Sequence, residues 1–467
     1  MTPGKDETIA GSFRDPAGFV FRRDGVVFRH VAKSYGPVYD RLMTSGLYES
    51  LVRDGLLLPH EEVPAGPEDE QAHRMLKPVQ VPFISYPYEW CFSQLRDSAL
   101  VTLDIQIRAI EFGMSLKDAS AYNIQLYGGR PTLVDTLSFE EYEEGYPWVA
   151  YRQFCQHFLA PLALMALRDV SLGRLLEVHL DGIPLALAAR LLPLRSRLRP
   201  GLAMHLFSHA RLQARQASKA SRRADFRGRM SRKGLLTILN NLRSTVTSLS
   251  WDPEVSEWSD YYQGESYDDA GFDSKKGLVA DYLRSLGPVE AWDIGANTGE
   301  FTRIAAGQGV RVISIDSDPG AIEISYREVA RNRDAVVYPI VADLSNPSPA
   351  SGWGNTERMS LLDRGPTDAV IALAVVHHLA ITNNVPLEKI AQFCASLGQS
   401  LIVEYVPRKD PKVQRLLALR NHSFPGYNRE SFEKAFGRYF STERAAPITN
   451  SGRRLYLMSR PVSTRRE

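Results

Sequence analysis

The chain has 467 residues, 44% of them hydrophobic and 24% charged, with a formal net charge of +2. That length exceeds one ordinary core and points to two or three domains. The near-neutral balance excludes a global field for nucleic acid, and Cys91, Cys155 and Cys394 are too scattered for a disulfide framework or a metal knuckle. The longest apolar runs, such as Phe158 to Leu167, are interrupted by Pro161 and are too short to span a bilayer. Met1-Thr2-Pro3-Gly4-Lys5-Asp6 lacks an apolar signal core, so the cytoplasm is the expected location.

In the front half, Leu100 to Gly113 reads as an amphipathic helix, followed by Ser115-Leu116-Lys117-Asp118-Ala119-Ser120-Ala121-Tyr122-Asn123. A turn at Gly128-Gly129-Arg130-Pro131 then leads into Thr132-Leu133-Val134-Asp135. An Asp, an Asn five residues on, a strand, a turn and a strand ending in Asp resembles the catalytic and metal loops of the protein-kinase-like fold. The resemblance implies that Asp118 orients an attacking hydroxyl, and that Asn123 and Asp135 hold magnesium against the phosphates of ATP if the domain is active. The pattern departs from that family in several places. No glycine-rich phosphate loop precedes it, and Arg29, Lys33 and Lys77 are the only candidates for the phosphate-binding lysine. Leu116-Lys117 replaces the usual His-Arg, and no glycine follows Asp135. The expectation for 1–205 is therefore an α+β domain, with two readings open: a degenerate kinase-like fold binding a substrate or partner, or a coincidence of turn residues. Mg-ATP is the cofactor of the less favoured, active reading.

A basic segment follows. Residues 211–243 carry ten Lys or Arg against one acid, Asp225. Arg211, Arg215, Lys219, Arg222 and Arg223 can line one side of a helix. One reading is a solvated helical linker over 206–254; the other is a peripheral contact with anionic lipid, phosphorylated glycan or nucleic acid. Phe226 is its one aromatic residue, so no strong nucleic-acid signal results.

From residue 255 onward strands alternate with helical stretches. Tyr261-Tyr262, Tyr267 and Lys275-Lys276 come first, as core aromatics or a lid. Trp292-Asp293-Ile294 then runs into Gly295-Ala296-Asn297-Thr298-Gly299, a helix follows, and Val312-Ile313-Ser314-Ile315 ends at Asp316. The glycines permit a tight turn and close approach of a ligand, and a carboxylate at the second strand end can accept both hydroxyls of a ribose. The spacing D-x-G-x-x-x-G differs from the G-x-G-x-x-G that brings a pyrophosphate to a helix, and fits a cofactor with ribose but no phosphates. A third strand, Val336 to Ala342, contains Pro339 and ends at Asp343. A turn-rich insertion, Asn346 to Arg358, is either an inert surface loop or one whose Trp353 and Arg358 close over adenine or substrate. The fourth strand, Asp368 to Ala374, runs into Val375-Val376-His377-His378. Leu401 to Tyr405 is a fifth, with Glu404 near its end, and Arg454 to Met458 a last.

The expected class is α/β, with a Rossmann-like doubly wound sheet over 255–467 behind the α+β domain. These motifs resemble class I S-adenosylmethionine-dependent methyltransferases. The resemblance implies S-adenosylmethionine as cofactor, with Asp293 near its amino-acid end, Asp316 on ribose, Asp343 on the adenine amine, and Gly295, Asn297 and Gly299 in the binding turn. It also places His377 and His378 on the substrate side, as general base or hydroxyl orienter. Glu404 is then either a further substrate-side carboxylate or a partner of the following turn. Strand four lacks the pattern of methyltransferases acting on amino groups of bases or glutamine, and looks like that of small-molecule and sugar O-methyltransferases. The C-terminal half is loosely similar to bacterial nodulation-type methyltransferases, which are associated with secreted glycans. O-methylation of a glycan, glycolipid or small-molecule hydroxyl is the function expected. The alternative is a bifunctional methyltransferase–kinase acting on a bacterial polysaccharide. Acceptor identity and oligomeric state are not encoded in any motif.

Overall fold

The computed structural model describes residues 7–64, 71–209, 230–253, 268–418 and 424–461. They cluster into two compact units: residues 1–252 with 350–358, and residues 253–349 with 359–467. The expected lid tyrosines Tyr261, Tyr262 and Tyr267, and the basic residues 211–223 read as a helix, lie outside the described residues.

The first unit opens with an antiparallel sheet. Its strands are β1 (Glu7–Thr8), β2 (Gly18–Arg23), β3 (Val26–Ala32), β4 (His60–Val63) and β5 (Ala72–Pro78), ordered β1-β2-β3-β5-β4. Asp24 and Gly25, both at positive φ, make the two-residue turn between β2 and β3 that matches strand twist. A 20-residue helix, Phe92–Glu111, follows; it begins eight residues earlier than the sequence pattern suggests. Its first turn is closed by Gln94, whose side chain accepts the Cys91 N–H at 2.9 Å. Leu95, Ala99, Leu103 and Ile110 on this helix are buried in the unit's main core. At about 1.5–3 kcal/mol per large side chain, such burial holds the helix more than propensity does.

Four short strands then form two antiparallel pairs: β6 (Met114–Leu116) with β9 (Phe139–Glu141), and β7 (Ile124–Tyr127) with β8 (Arg130–Leu133). Asp118 and Asn123 thus lie between β6 and β7, and Asp135 between β8 and β9, the placement that the kinase-like resemblance implies. Helical segments complete the unit, ending with Arg232–Thr247. Leu235, Leu239, Leu242 and Val246 of that last helix recur at i, i+4, i+7 and i+11 and enter the main core. This part of the segment read as linker is therefore part of the first unit's packing.

The second unit is built on seven strands: β10 (Glu290–Ile294), β11 (Arg311–Asp316), β12 (Val337–Val341), β13 (Thr367–Ala372), β14 (Gly398–Tyr405), β15 (Ser441–Pro447) and β16 (Arg454–Ser459). Their order is β12-β11-β10-β13-β14-β16-β15. The first five are parallel, and β16 runs antiparallel to both neighbours. This is a doubly wound sheet of the expected kind, with strand order reversing between β10 and β13, where ligands bind in open α/β sheets. Pro339 is accommodated because β12 is an edge strand. The sequence reading contained no counterpart of β15, whose residues alternate no apolar face and are almost all exposed.

Candidate cofactor and catalytic site

Strand β10 delivers the chain into Gly295 at φ 73, Asn297 at φ 52 and Gly299 at φ 87. At Gly295 a Cβ would lie 3.2 Å from the Val375 side chain, so both the conformation and the close approach require glycine. The N–H groups of Gly295 and Ala296 donate to the Ile315 carbonyl at 2.8 and 3.0 Å, fastening the turn to β11. The Asn297 N–H donates to Asp316 Oδ2 at 2.8 Å, while the Asp318 N–H donates to Oδ1 at 2.9 Å. Asp316 is therefore oriented by backbone, and its carboxylate keeps acceptor capacity for a hydroxyl. Burial raises its pKa, and those N–H bonds pull it back.

Asp293 is 2% exposed and accepts from Thr302 Oγ at 2.6 Å. Burial pushes its carboxyl up to about 6, with Thr302 opposing the rise and nearby Asp316 adding to it. At the end of β12, Asp343 Oδ1 accepts both the Ser345 N–H at 2.8 Å and its hydroxyl at 2.7 Å. The three acids expected on the cofactor side thus end three adjacent strands.

After β13, Ala374 adopts φ 53, a conformation costing about 1–2 kcal/mol in a residue with a Cβ. Strain of this kind collects at functional sites. Three residues on, His377 is completely buried, and neither ring nitrogen has a hydrogen-bond partner among the described residues. Its ring centroid is 4.1 Å from that of His378. Burial first, and then His378, Arg453 and Lys412, hold His377 well below its ordinary pKa; burial takes His378 down to about 4. Both are neutral imidazoles near neutral pH.

Glu404 corrects the expectation of an open substrate-side carboxylate. It is fully buried and accepts from Lys275 Nζ at 2.7 Å and from Arg453 at 3.2 Å. Arg453 Nε in turn donates to Asp410 at 2.7 Å. Lys275 is likewise buried, 4.7 Å from the centre of the Phe301 ring, and therefore no part of a surface lid. Beside them Lys412 is pulled down to about 7, mainly by burial and then by Arg453. Arg453, Asp410 and Lys412 escaped the sequence reading because their partners are distant in the chain. The available signal was Glu404 itself: a carboxylate inside Leu-Ile-Val-Glu-Tyr-Val must find a partner.

The first unit gathers its own expected residues. Asn123 Nδ2 donates to Ser138 Oγ at 3.1 Å, and Ser138 Oγ donates to Asp135 Oδ2 at 2.8 Å. Asp118 Oδ1 accepts from the Ser120 N–H at 2.9 Å and from Gln153 at 2.8 Å; burial raises its pKa. Asn123 and Asp135 are thus brought together through Ser138. Asp135 Oδ1 is ion-paired with Arg29, so a guanidinium stands where a cation would bind. Among the described residues no group of three or more His, Cys, Asp or Glu is placed to hold a metal. Residues 350–358 belong to the first unit, where Arg358 lies 4.3 Å over the Tyr122 ring; Trp353 is 74% exposed.

No protein-family model matches the chain. The nodulation protein NoeA of Rhizobium meliloti (strain 1021) is 33% identical over 468 residues, covering 98% of this chain and 96% of NoeA. Among solved structures, WbdD is similar at 16% identity and a TM-score of 0.31, over 43% of this chain and 42% of WbdD. Magnesium protoporphyrin IX methyltransferase (ChlM) from Synechocystis PCC 6803 is 17% identical with a TM-score of 0.33, over 44% of this chain and 93% of ChlM. The N-methyltransferase NodS from Bradyrhizobium japonicum WM9 is 13% identical with a TM-score of 0.32, over 42% of this chain and 98% of NodS.

Proposed function

The chain belongs to the family of the nodulation protein NoeA, and we propose that its second unit is an S-adenosylmethionine-dependent methyltransferase acting on a hydroxyl. The observation that carries this reading is Asp316, held by the Asn297 and Asp318 N–H groups beside a glycine turn. A carboxylate preorganised in this way favours a ribose, and the turn offers no cradle built for a pyrophosphate. Asp343 is the candidate for the adenine amine, and Asp293 for the cationic amino-acid end. When bound, S-adenosylmethionine supplies a methyl carbon that is already electrophilic. The chain's task is then orientation of the acceptor and exclusion of water.

His377 is better suited to orienting than to proton removal. A general base works best with a pKa near ambient pH, and burial holds this imidazole far below that. Of its two unpartnered nitrogens, the one without a proton can accept a hydrogen bond from an acceptor hydroxyl. Glu404, neutralised by Lys275 and Arg453, is given a structural part in this reading and no step in the chemistry. A glycan, glycolipid or small-molecule acceptor is favoured by the relative's link to nodulation, though a fold alone does not choose a substrate.

Calorimetric titration with S-adenosylmethionine tests the proposal: the protein binds and Asp316→Ala does not. Absence of binding in the parent protein would refute it. The clustering of Asp118, Asn123 and Asp135 favours one second reading, phosphoryl transfer from Mg-ATP. A parallel titration with Mg-ATP decides it, since heat lost in Asp135→Asn would support that reading.

A further inference from the structure

Residues 185–208 of the first unit fold as four short helical segments, Leu185–Leu191, Leu194–Leu198, Pro200–Leu202 and Ala203–Ser208, that pack on one another. Their surface inverts the usual sorting of side chains. Ser196 is 2% exposed, and its hydroxyl has no hydrogen-bond partner among the described residues. Its neighbours Leu194 and Leu198 are 74% and 85% exposed. Leu191 and Met204 are exposed as well. Of thirteen large apolar side chains exposed among the described residues, four fall within these fourteen positions. Single exposed leucines need no explanation, whereas a cluster of them marks a surface that meets something.

The charge around the cluster says what. From Gly182 to His209 the sequence holds four arginines and no aspartate or glutamate. Arg190, Arg195, Arg197 and Arg199 are all exposed and interleave with the leucines; Arg197 also stacks over Phe207 at 5.6 Å. The nearest acids in sequence are Asp181 and Glu177, and Glu177 is paired with Arg174 at 3.2 Å. Exposed leucines interleaved with exposed arginines match a bilayer interface, where apolar side chains enter the acyl boundary and cations meet lipid phosphates. No helix among the described residues is long and apolar enough to cross a membrane, so contact of this kind is peripheral.

We propose that Leu191, Leu194, Leu198 and Met204, with Arg190, Arg195 and Arg199, form a docking surface for an anionic lipid bilayer. The surface lies wholly in the first unit and does not depend on the methyltransferase reading. It would bring the enzyme to acceptors held at a membrane.

The test is co-sedimentation of the full-length protein with extruded phosphatidylcholine vesicles, with and without phosphatidylglycerol, at low and high salt. Binding is expected only with the anionic lipid, and salt should weaken it. Leu194→Ser/Leu198→Ser should lower the affinity about tenfold, as should Arg195→Glu/Arg199→Glu. Because all four residues are exposed, unfolding midpoints should not change. Equal binding to neutral and anionic vesicles would overturn the proposal, as would a double-serine variant that sediments like the parent. So would light scattering that shows a dimer dissociated by the serine substitutions, because the surface would then be an interface between copies of the chain.

Discussion

Asp293 and Asp316 end adjacent strands, yet the protein handles their charges differently. Asp316 is compensated by N–H groups of its own loop, whereas Asp293 has the Thr302 hydroxyl and a folded pKa of about 6 against an ordinary 3.8. A raised carboxyl pKa means that folding takes up a proton. Its contribution to stability is complete below about pH 3.8 and is lost as pH rises through about 6. Near neutral pH the ionised, buried Asp293 therefore costs the apo protein about 3 kcal/mol. Asp293→Asn should raise the urea midpoint at neutral pH, and the gain should shrink toward pH 4 while S-adenosylmethionine affinity falls. A stability gain independent of pH would contradict this account. Asp316→Ala should behave differently. It removes charge-assisted hydrogen bonds worth about 1.5–3 kcal/mol each, so calorimetry should show cofactor binding weakened at least about a hundredfold.

Three elements that are remote in sequence are tied together by the buried Lys275–Glu404–Arg453 chain: the helix Asp269–Leu286, strand β14 and the start of β16. Removing one member of a buried pair leaves an uncompensated charge, at a cost of about 3–5 kcal/mol. Urea unfolding of Glu404→Gln should show a loss of that size, and adding Lys275→Met should recover part of it. If the double variant were no better than the single one, Lys275 would not be the charge that Glu404 serves. This chain also marks where the sequence stopped being readable. Strands β10, β11, β13 and β14 announce themselves as apolar runs bounded by turn residues, and Gly295, Gly299 and Asp316 stand at spacings with local meaning. Ion pairs between residues 49 and 129 positions apart leave no such trace. Strand β15 was invisible because an exposed edge strand needs no apolar face. Arg29 was singled out, but its pairing with Asp135 depends on how a sheet and the β8–β9 connection meet, which no local pattern encodes.

At the scale of the molecule, the main apolar cluster of the first unit and that of the strand β10–β16 unit share no residue. Each unit should therefore unfold as its own cooperative transition. A ligand at about a hundred times its Kd stabilises the unit that binds it by about 2.7 kcal/mol. For a unit of this size that is a rise of about 5–10 °C. Scanning calorimetry with S-adenosylmethionine should move one transition by that much and leave the other in place. Mg-ATP should move neither, because the Asp135 oxygen expected to hold magnesium is paired with Arg29. A shift with Mg-ATP would restore the kinase reading. The two transitions can be assigned through residues 350–358, which interrupt the second unit's sequence but belong to the first. There Arg14 binds Glu357 at 2.6 Å, and Arg358 covers Tyr122. A cation–π contact contributes about 0.5–2 kcal/mol. Arg358→Ala should accordingly lower by a few degrees the transition that ignores S-adenosylmethionine, with the cofactor-responsive one unchanged. If it lowered the responsive transition instead, residues 350–358 would be stabilising the β10–β16 sheet, and the division into two units would have to be redrawn.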